Sequence, residues 1–220
     1  MLEGVTLPFG RPEPLSMNKA LAGLSLLLGI ACVSPAVRAG GIDLALSNET
    51  ANLALLLNPH RFRTGNGAEL TLGGFISEDD DRLVHASLMA KGKQRTRTSM
   101  YSLAAGVKAI GGDVAIESER VLPGAEDDER VGALALGFEF GIINASPRNP
   151  VEFKLGAFFA PSISSFSDAE EFSEFTARLQ IEVIPTASAY VGYRRMGFDT
   201  NDYDDVRLDR SVHIGLEIVY

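Results

Sequence analysis

Three histidines, His60, His85 and His213, are the side chains of this sequence that can exchange a proton near neutral pH. Their spacing matches no zinc-binding signature, so the sequence predicts no metal site. A lipid hydrolase would combine a histidine with a serine nucleophile, and Ser87 and Ser211 lie close to two of them in sequence. The pattern does not place a nucleophile, a base and an orienting residue together. We therefore expect no catalytic residue and no cofactor, and keep the hydrolase as an alternative.

An acidic run at 199–205 contains Asp199, Asp202, Asp204 and Asp205. Carboxylates at alternate positions suit Ca²⁺, but the run lacks the glycine and the distal glutamate of a calcium-binding loop. A solvated loop that is screened by cations is the favoured interpretation. Weak recruitment of Mg²⁺ or Ca²⁺ beside lipopolysaccharide phosphates is the alternative.

The N-terminal segment has the three parts of a secretory signal peptide. Lys19 precedes an apolar run at 20–33, and small residues follow up to Ala39. The apolar run is shorter than the roughly 20 residues that a membrane-spanning helix needs. The expected division is a non-functional leader at 1–16, a signal peptide at 17–39 that is cleaved after Ala39, and an exported domain at 40–220.

Composition narrows the class of protein. The formal net charge of -9 argues against a nucleic-acid-binding surface, because phosphate binding needs a basic one. The 22 glycines favour closely packed strands and frequent turns over helices. Cys32, the single cysteine, lies in the segment expected to be removed, so no disulfide framework is expected.

Apolar residues alternate along most of the sequence after Gly40, which predicts strands. Many of the segments approach the roughly 9–11 residues with which a tilted strand crosses a membrane. We predict an all-β, up-and-down antiparallel transmembrane barrel of about ten strands, with eight as the alternative. The number depends on whether the parity switch between Leu46 and Leu53 is a turn or a bulge. The candidate strands are 41–47, 51–57, 67–77, 82–91, 99–111, 130–143, 151–163, 171–184, 187–199 and 208–220.

Charged residues occupy the opposite parity of these strands. A membrane barrel turns its apolar face to lipid and encloses such residues, whereas a soluble barrel does the reverse. Acids and bases are roughly balanced, so they would either plug a structural barrel with salt bridges or line a narrow water-filled pore. We favour the plug, since a wide channel would need about sixteen strands. The predicted lumen network is Glu69, Lys108, Glu139, Glu152, Lys154, Arg178, Glu182, Arg194, His213 and Glu217.

The breaks between strands alternate in chemistry. Acidic breaks at 78–81, 126–129, 168–171 and 199–205 fall at one end of an up-and-down meander. The intervening breaks, at 59–67, 91–98, 144–150 and 185–186, are basic, neutral or short. Two chemically different ends are typical of a barrel whose ends face different compartments.

The last segment carries the most specific pattern. Apolar residues alternate up to an aromatic C-terminal residue, which resembles the signal read by the outer-membrane assembly machinery. We expect this face to meet lipid, with His213 and Glu217 on the other face. The predicted assembly signal is Val212, Ile214, Leu216, Ile218 and Tyr220.

The segments Ala157–Ser165 and Ala189–Arg194, with the acidic loop before the last strand, resemble the YfaZ family of small bacterial outer-membrane proteins. The likeness extends from Asn48 to Tyr220 and is closest in the C-terminal half. Arg195 stands where family members tend to have an aromatic residue. The resemblance implies an outer-membrane β-barrel and brings no known catalytic residues.

These observations predict an integral outer-membrane barrel of a Gram-negative cell, with a structural or narrow-pore role. The alternatives are a lipid-modifying outer-membrane enzyme and a soluble periplasmic ligand-binding barrel. The expected partners are outer-membrane lipids, lipopolysaccharide and the assembly machinery.

Overall fold

The computed structural model describes residues 40–58, 66–97, 99–115, 128–144, 149–167, 169–200 and 206–220. Several predictions from the sequence lie outside these ranges. They are the leader, the signal peptide and its cleavage site, His60, and most of the acidic runs at 126–129 and 199–205.

Ten long antiparallel strands and one short strand form a single closed sheet, which confirms the prediction of ten strands. Each long strand pairs with its neighbours in the chain, β7 pairs directly with β9, and β1 closes the ring on β11. No helix in the described ranges is long and apolar enough to cross a membrane. The strands are β1 Gly40–Leu46, β2 Thr50–Leu57, β3 Gly67–Ser77, β4 Arg82–Arg95, β5 Ser99–Ala115, β6 Asp128–Asn144, β7 Val151–Ala160, β8 Ser165–Ser167, β9 Ala169–Ile184, β10 Ala187–Thr200 and β11 Val206–Val219.

The parity switch between Leu46 and Leu53 is a tight turn. The Ser47 amide donates to the Thr50 carbonyl, and the Ser47 hydroxyl oxygen accepts hydrogen bonds from the amides of Glu49 and Thr50. A serine that bonds the backbone in this way stabilises a reversal of the chain. The switch therefore separates β1 from β2, which is why the barrel has ten long strands.

The start of β1 and the end of β11 lie at the same end of the barrel. Gly40 and Tyr220 exchange backbone hydrogen bonds of 3.1 and 2.9 Å, and the register continues from Gly41 opposite Val219 to Leu46 opposite Ile214. The acidic turn at 78–81 lies at the opposite end, where the Glu78 amide donates to the Glu49 carbonyl. The acidic break at 78–81 therefore lies at the end of the barrel opposite Tyr220, and the chemistry of the other predicted breaks stays a prediction.

The predicted strand 151–163 is interrupted. β7 ends at Ala160, a single turn of 3-10 helix follows at Ser162–Ser164, and β8 then continues against β6. Pro161 has no amide hydrogen to donate to a ladder, and its carbonyl accepts the hydroxyl hydrogens of Ser164 and Ser165. Ile163, in the middle of the 3-10 turn, points away from the barrel and is 94% exposed.

The two faces of the sheet differ in polarity. The outward face is apolar along the middle of every long strand and carries exposed large side chains such as Leu136, Phe138, Val212 and Ile214, and charged residues reach this face toward the strand ends. The inward face carries the buried charged side chains. A soluble barrel has the opposite arrangement, so this is the polarity of a membrane-spanning barrel of the outer-membrane type.

Candidate functional site in the barrel lumen

The inward side chains divide the lumen into two halves. Toward the acidic turns, an apolar cluster is buried inside the barrel. Every long strand except β1 and β2 contributes to it. Phe172 and Phe198 face each other across β9 and β10 with ring centroids 4.8 Å apart. The members are Phe75, Leu83, Ile110, Val114, Val131, Ala133, Ala135, Ala160, Ala169, Phe172, Met196, Phe198 and Leu208, with Phe158 and Val206 packed against them.

The other half of the lumen, toward Gly40 and Tyr220, encloses a polar cavity of about 200 Å³. Most of the predicted lumen network lines it: Glu69, Lys108, Glu139, Glu152, Lys154, Arg178, Arg194, His213 and Glu217. Glu182 does not belong to the lining; it is half-buried near the end of β9, where its carbonyl accepts a hydrogen bond from Asn149.

Arg178 of β9 is the centre of the largest group of contacts in this cavity. Its guanidinium forms an ion pair with Asp43 of β1 and lies 3.6 Å from the Glu217 carboxylate of β11. The guanidinium carbon sits 3.3 Å from the ring centroid of Tyr190, whose hydroxyl donates to Asp43 at 2.5 Å. Gln180 donates to Glu217 at 3.3 Å. The group joins β9, β10, β11 and β1 across the lumen.

Two lysines pair with acids on other strands. Lys108 of β5 forms a buried ion pair with Glu174 of β9, and it lies 5.2 Å from the centre of the Phe158 ring. Lys91 of β4 lies 2.6 Å from Glu69 and 3.4 Å from Glu139, on β3 and β6. The pairs with Glu174 and Glu139 link strands that are not neighbours in the ring, whereas Lys91 and Glu69 lie on the neighbouring strands β4 and β3.

The boundary between the halves is formed by Arg194 and Asp209. Their ion pair measures 2.6 Å, and the Asp209 side chain is completely buried. Asp209 also accepts hydrogen bonds from the hydroxyls of Ser211 and Thr50, at 2.6 and 3.4 Å. The Arg194 guanidinium carbon lies 4.9 Å from the ring centroid of Phe75, so charged and apolar layers are in direct contact.

The residues considered for hydrolysis are placed in the lumen but are not assembled. Ser211 donates to Asp209, and the Nε2 atom of His85 is 3.2 Å from the Asn52 side-chain oxygen. Among the described residues, no hydrogen bond joins His85 or His213 to Ser87 or Ser211. In the same part of the chain, no group of three or more His, Cys, Asp or Glu residues is arranged to hold a metal ion.

Several members of this cavity were absent from the predicted network. Asp43, Lys91, Glu174 and Tyr190 line it with the others, and Asp209 lies beside it. All have the inward parity of their strands, so the same alternation could have identified them. The choice of partner could not be read from the sequence, because it depends on the register and curvature of the closed barrel.

The predicted assembly signal lies on the outward face of β11. Val212, Ile214, Leu216, Ile218 and Tyr220 are exposed there, while His213 and Glu217 point into the barrel. This is the orientation expected from the alternation. Recognition by the assembly machinery stays a prediction.

Comparisons with solved structures find distant likenesses. LpxR from Salmonella typhimurium superposes with a TM-score of 0.41 and 10% identity, covering 83% of this chain and 99% of LpxR. The NanC porin superposes with a TM-score of 0.35 and 10% identity, covering 82% of this chain and 98% of the porin chain. The CymD monoaromatic hydrocarbon channel superposes with a TM-score of 0.32 and 11% identity, covering 82% of this chain and 65% of the channel chain. None of these values is high enough to transfer a function.

A search of the curated proteins finds no match. A family model does match: the one described as YfaZ precursor covers residues 17–220, which is nearly the whole chain and includes all ten long strands. The resemblance seen in the sequence is thereby confirmed, and this chain belongs to the YfaZ family.

Proposed function

We propose that this protein is a closed outer-membrane barrel with a structural role, whose lumen is filled by its own side chains. The observation that carries the proposal is the apolar cluster in the half of the lumen near the acidic turns. Phe75, Phe172 and Phe198 are each at most 2% exposed there, although they point into the barrel.

Ion passage needs a continuous hydrated path. An apolar constriction excludes water and ions, and here the apolar side chains are in contact with one another over several layers. A solute that entered the polar cavity would therefore stop at the layer formed by Arg194 and Phe75. The cavity is lined by polar atoms and has the character of a hydrated interior pocket.

The charged half supports the same interpretation. Six carboxylates and five lysine or arginine side chains line the cavity, so their charges largely neutralise one another instead of presenting one sign to a passing solute. Selective pores instead use rings of a single sign. Cross-lumen pairs between β9 and β1, and between β5 and β9, tie together strands that do not touch through backbone hydrogen bonds.

The proposed location follows from the outward face and the family. An apolar outer wall requires lipid around it, and the acidic turns at the end opposite Tyr220 suit the extracellular side. The chain would be exported, inserted with both ends in the periplasm, and held by the apolar wall.

Two assays test this proposal. In the first, membrane fractionation of cells that express the whole chain is followed by electrophoresis of heated and unheated samples. We expect the protein in the outer-membrane fraction with a heat-dependent change in migration. Recovery from the periplasm without that change would contradict the location.

The second assay measures swelling of liposomes that contain the purified barrel, using small sugars as solutes. We expect the swelling rate of empty liposomes. The matched comparison is the double variant Phe172→Ser and Phe198→Ser, which removes the two rings that contact each other in the apolar cluster. Swelling by the unmodified protein would overturn the closed-barrel proposal.

A further inference from the structure

A second depression lies on the outer wall of the barrel, away from the lumen. It has a volume of about 60 Å³ and is formed by β9, β10 and β11 close to the end that carries the acidic turns. Arg195, Arg207 and Arg210 are its basic members, and all three are exposed on the outward face. No arginine of the lumen network contributes to it.

Two of these arginines face each other on neighbouring strands. Arg195 of β10 pairs directly with Arg210 of β11 in the strand register. Side chains at such positions are about 5 Å apart at Cβ, and like charges there are destabilising. An anion between the two guanidinium groups would reverse the sign of this contribution.

A β-bulge adds the third arginine. The register of β10 and β11 shifts between Met196 and Gly197, so that Leu208 and Asp209 both point inward. Arg207 and Arg210 are consequently both on the outer face, although their parities differ. Bulges commonly redirect a side chain in this way at the rims of barrels.

Backbone forms the floor of the depression at Gly197. Gly197 lies opposite both Arg207 and Ser173 in the register, and a Cβ atom there would come within 2.9 Å of the Val206 carbonyl oxygen, so the two strands approach closely at this point. The Ser173 hydroxyl on the same row is a further hydrogen-bond donor. Glu171 and Asp199, directly opposite each other one row further from the membrane, complete the lining and leave the site with one excess positive charge.

The depression sits at the edge of the apolar band. The next row toward the barrel centre contains Tyr193 opposite Val212, followed by Val191 opposite Ile214, and these apolar side chains are outward-facing. Phe175 flanks Arg195 on β9. Aromatic residues beside a charged row mark the level of lipid headgroups in membrane barrels.

We propose that this depression, formed by Arg195, Arg207 and Arg210, binds the phosphate of a phosphorylated glycolipid in the outer leaflet. Guanidinium groups bind phosphate with two parallel hydrogen bonds each, which a single ammonium group does not match. The acyl chains of the same lipid would lie against Val212 and Ile214. This inference rests on the orientation proposed above, but not on closure of the lumen.

The test is native mass spectrometry of the whole mature barrel in detergent, titrated with diphosphoryl lipid A. Because binding is measured without a membrane potential or solute flux, a barrel that conducts would leave this result unchanged. We expect Arg210→Gln to weaken binding about tenfold and the Arg207→Gln, Arg210→Gln double variant to weaken it further. Arg210→Lys, which keeps the charge, should show an intermediate loss.

The matched control is Arg130→Gln. Arg130 is an exposed arginine of β6 that contacts Asp113 at 3.5 Å and lies outside the depression. The affinity of the Arg130→Gln variant for lipid A should be within about twofold of that of the unmodified protein, since only one distant surface charge is removed. An equal loss in Arg130→Gln and Arg210→Gln would overturn the proposal.

Two further probes decide which chemistry is recognised. Fully dephosphorylated lipid A should bind weakly and equally to the unmodified protein and to Arg210→Gln. Millimolar inorganic phosphate should displace little lipid A, because it offers no acyl chains. Equal binding of dephosphorylated lipid A, or complete displacement by inorganic phosphate, would contradict a glycolipid site. All variants are compared only after their heat-dependent migration matches that of the unmodified protein.

Discussion

The two halves of the lumen are filled by opposite means. Near the acidic turns, the interior is a packed apolar cluster around Phe172 and Phe198. Toward Gly40 and Tyr220, it is a set of ion pairs around Arg178, Lys108 and Lys91 that enclose a polar cavity. The difference shows that a ten-stranded barrel can fill one half of its lumen with apolar side chains while the other half keeps a charged, polar cavity.

The two halves also contribute differently to the free energy of unfolding. Apolar packing is favourable for each side chain that is buried. Ion pairs mainly recover the cost of removing charges from water, and they become costly when one partner is lost. The apolar half should therefore supply stability, and the charged half should fix which strands face each other across the lumen.

Truncation in the apolar half should have the largest effect. Phe172→Ala removes a completely buried ring that contacts Phe198, and we expect a loss of about 3–5 kcal/mol in the free energy of unfolding. Urea unfolding of the folded barrel, followed by its heat-dependent migration, measures the change. Phe175→Ala is the control, because Phe175 is an outward-facing phenylalanine of the same strand. A loss for Phe175→Ala as large as that for Phe172→Ala would contradict the packed interior.

In the charged half, Arg178→Ala should come next. It leaves Asp43 and Glu217 without their shared cation, and we expect a loss of about 2–4 kcal/mol in the free energy of unfolding. This range is lower than for a fully buried pair, because 18% of the arginine side chain is exposed to solvent. The double variant Asp43→Ala, Arg178→Met should lose less than the sum of its single changes. The same urea experiment applies, and strict additivity would show that the pair is not coupled.

A smaller effect is expected from Tyr190→Phe. This change removes only the hydroxyl group that donates to Asp43, and hydrogen bonds to charged groups are worth about 1.5–3 kcal/mol. Tyr193→Phe, on the outward face of the same strand, should change the free energy of unfolding by less than about 0.5 kcal/mol. Equal effects of the two changes, measured by urea unfolding, would remove Tyr190 from the network.

The smallest effect should come from an ion pair outside the lumen. Arg130 and Asp113 are 80% and 58% exposed in their side chains, and exposed pairs contribute little. Asp113→Asn should therefore change the free energy of unfolding by less than about 0.5 kcal/mol. A loss comparable to that of Arg178→Ala would remove the distinction between surface and lumen pairs.

Alternation along the strands predicted the barrel, the ten long strands and the inward direction of most charged residues. It worked because a membrane barrel requires opposite polarity on its two faces, so each residue has only two possible directions. The apolar cluster was not predicted: Phe172 and Phe198 lie on an inward parity that was expected to be polar. Its position depends on the convergence of eight strands, which no local pattern contains. The bulge at Leu208 and Asp209 was also missed. Both residues point inward, so the alternation on which the prediction relied is broken at this point.

The central claim, that the apolar half closes the lumen, is tested most directly by single-channel recording of the purified barrel in a planar lipid bilayer. We predict no conductance steps for the unmodified protein, and steps for the Phe172→Ser, Phe198→Ser double variant. Regular conductance steps from the unmodified protein, under conditions in which its heat-dependent migration shows it to be folded, would contradict the claim.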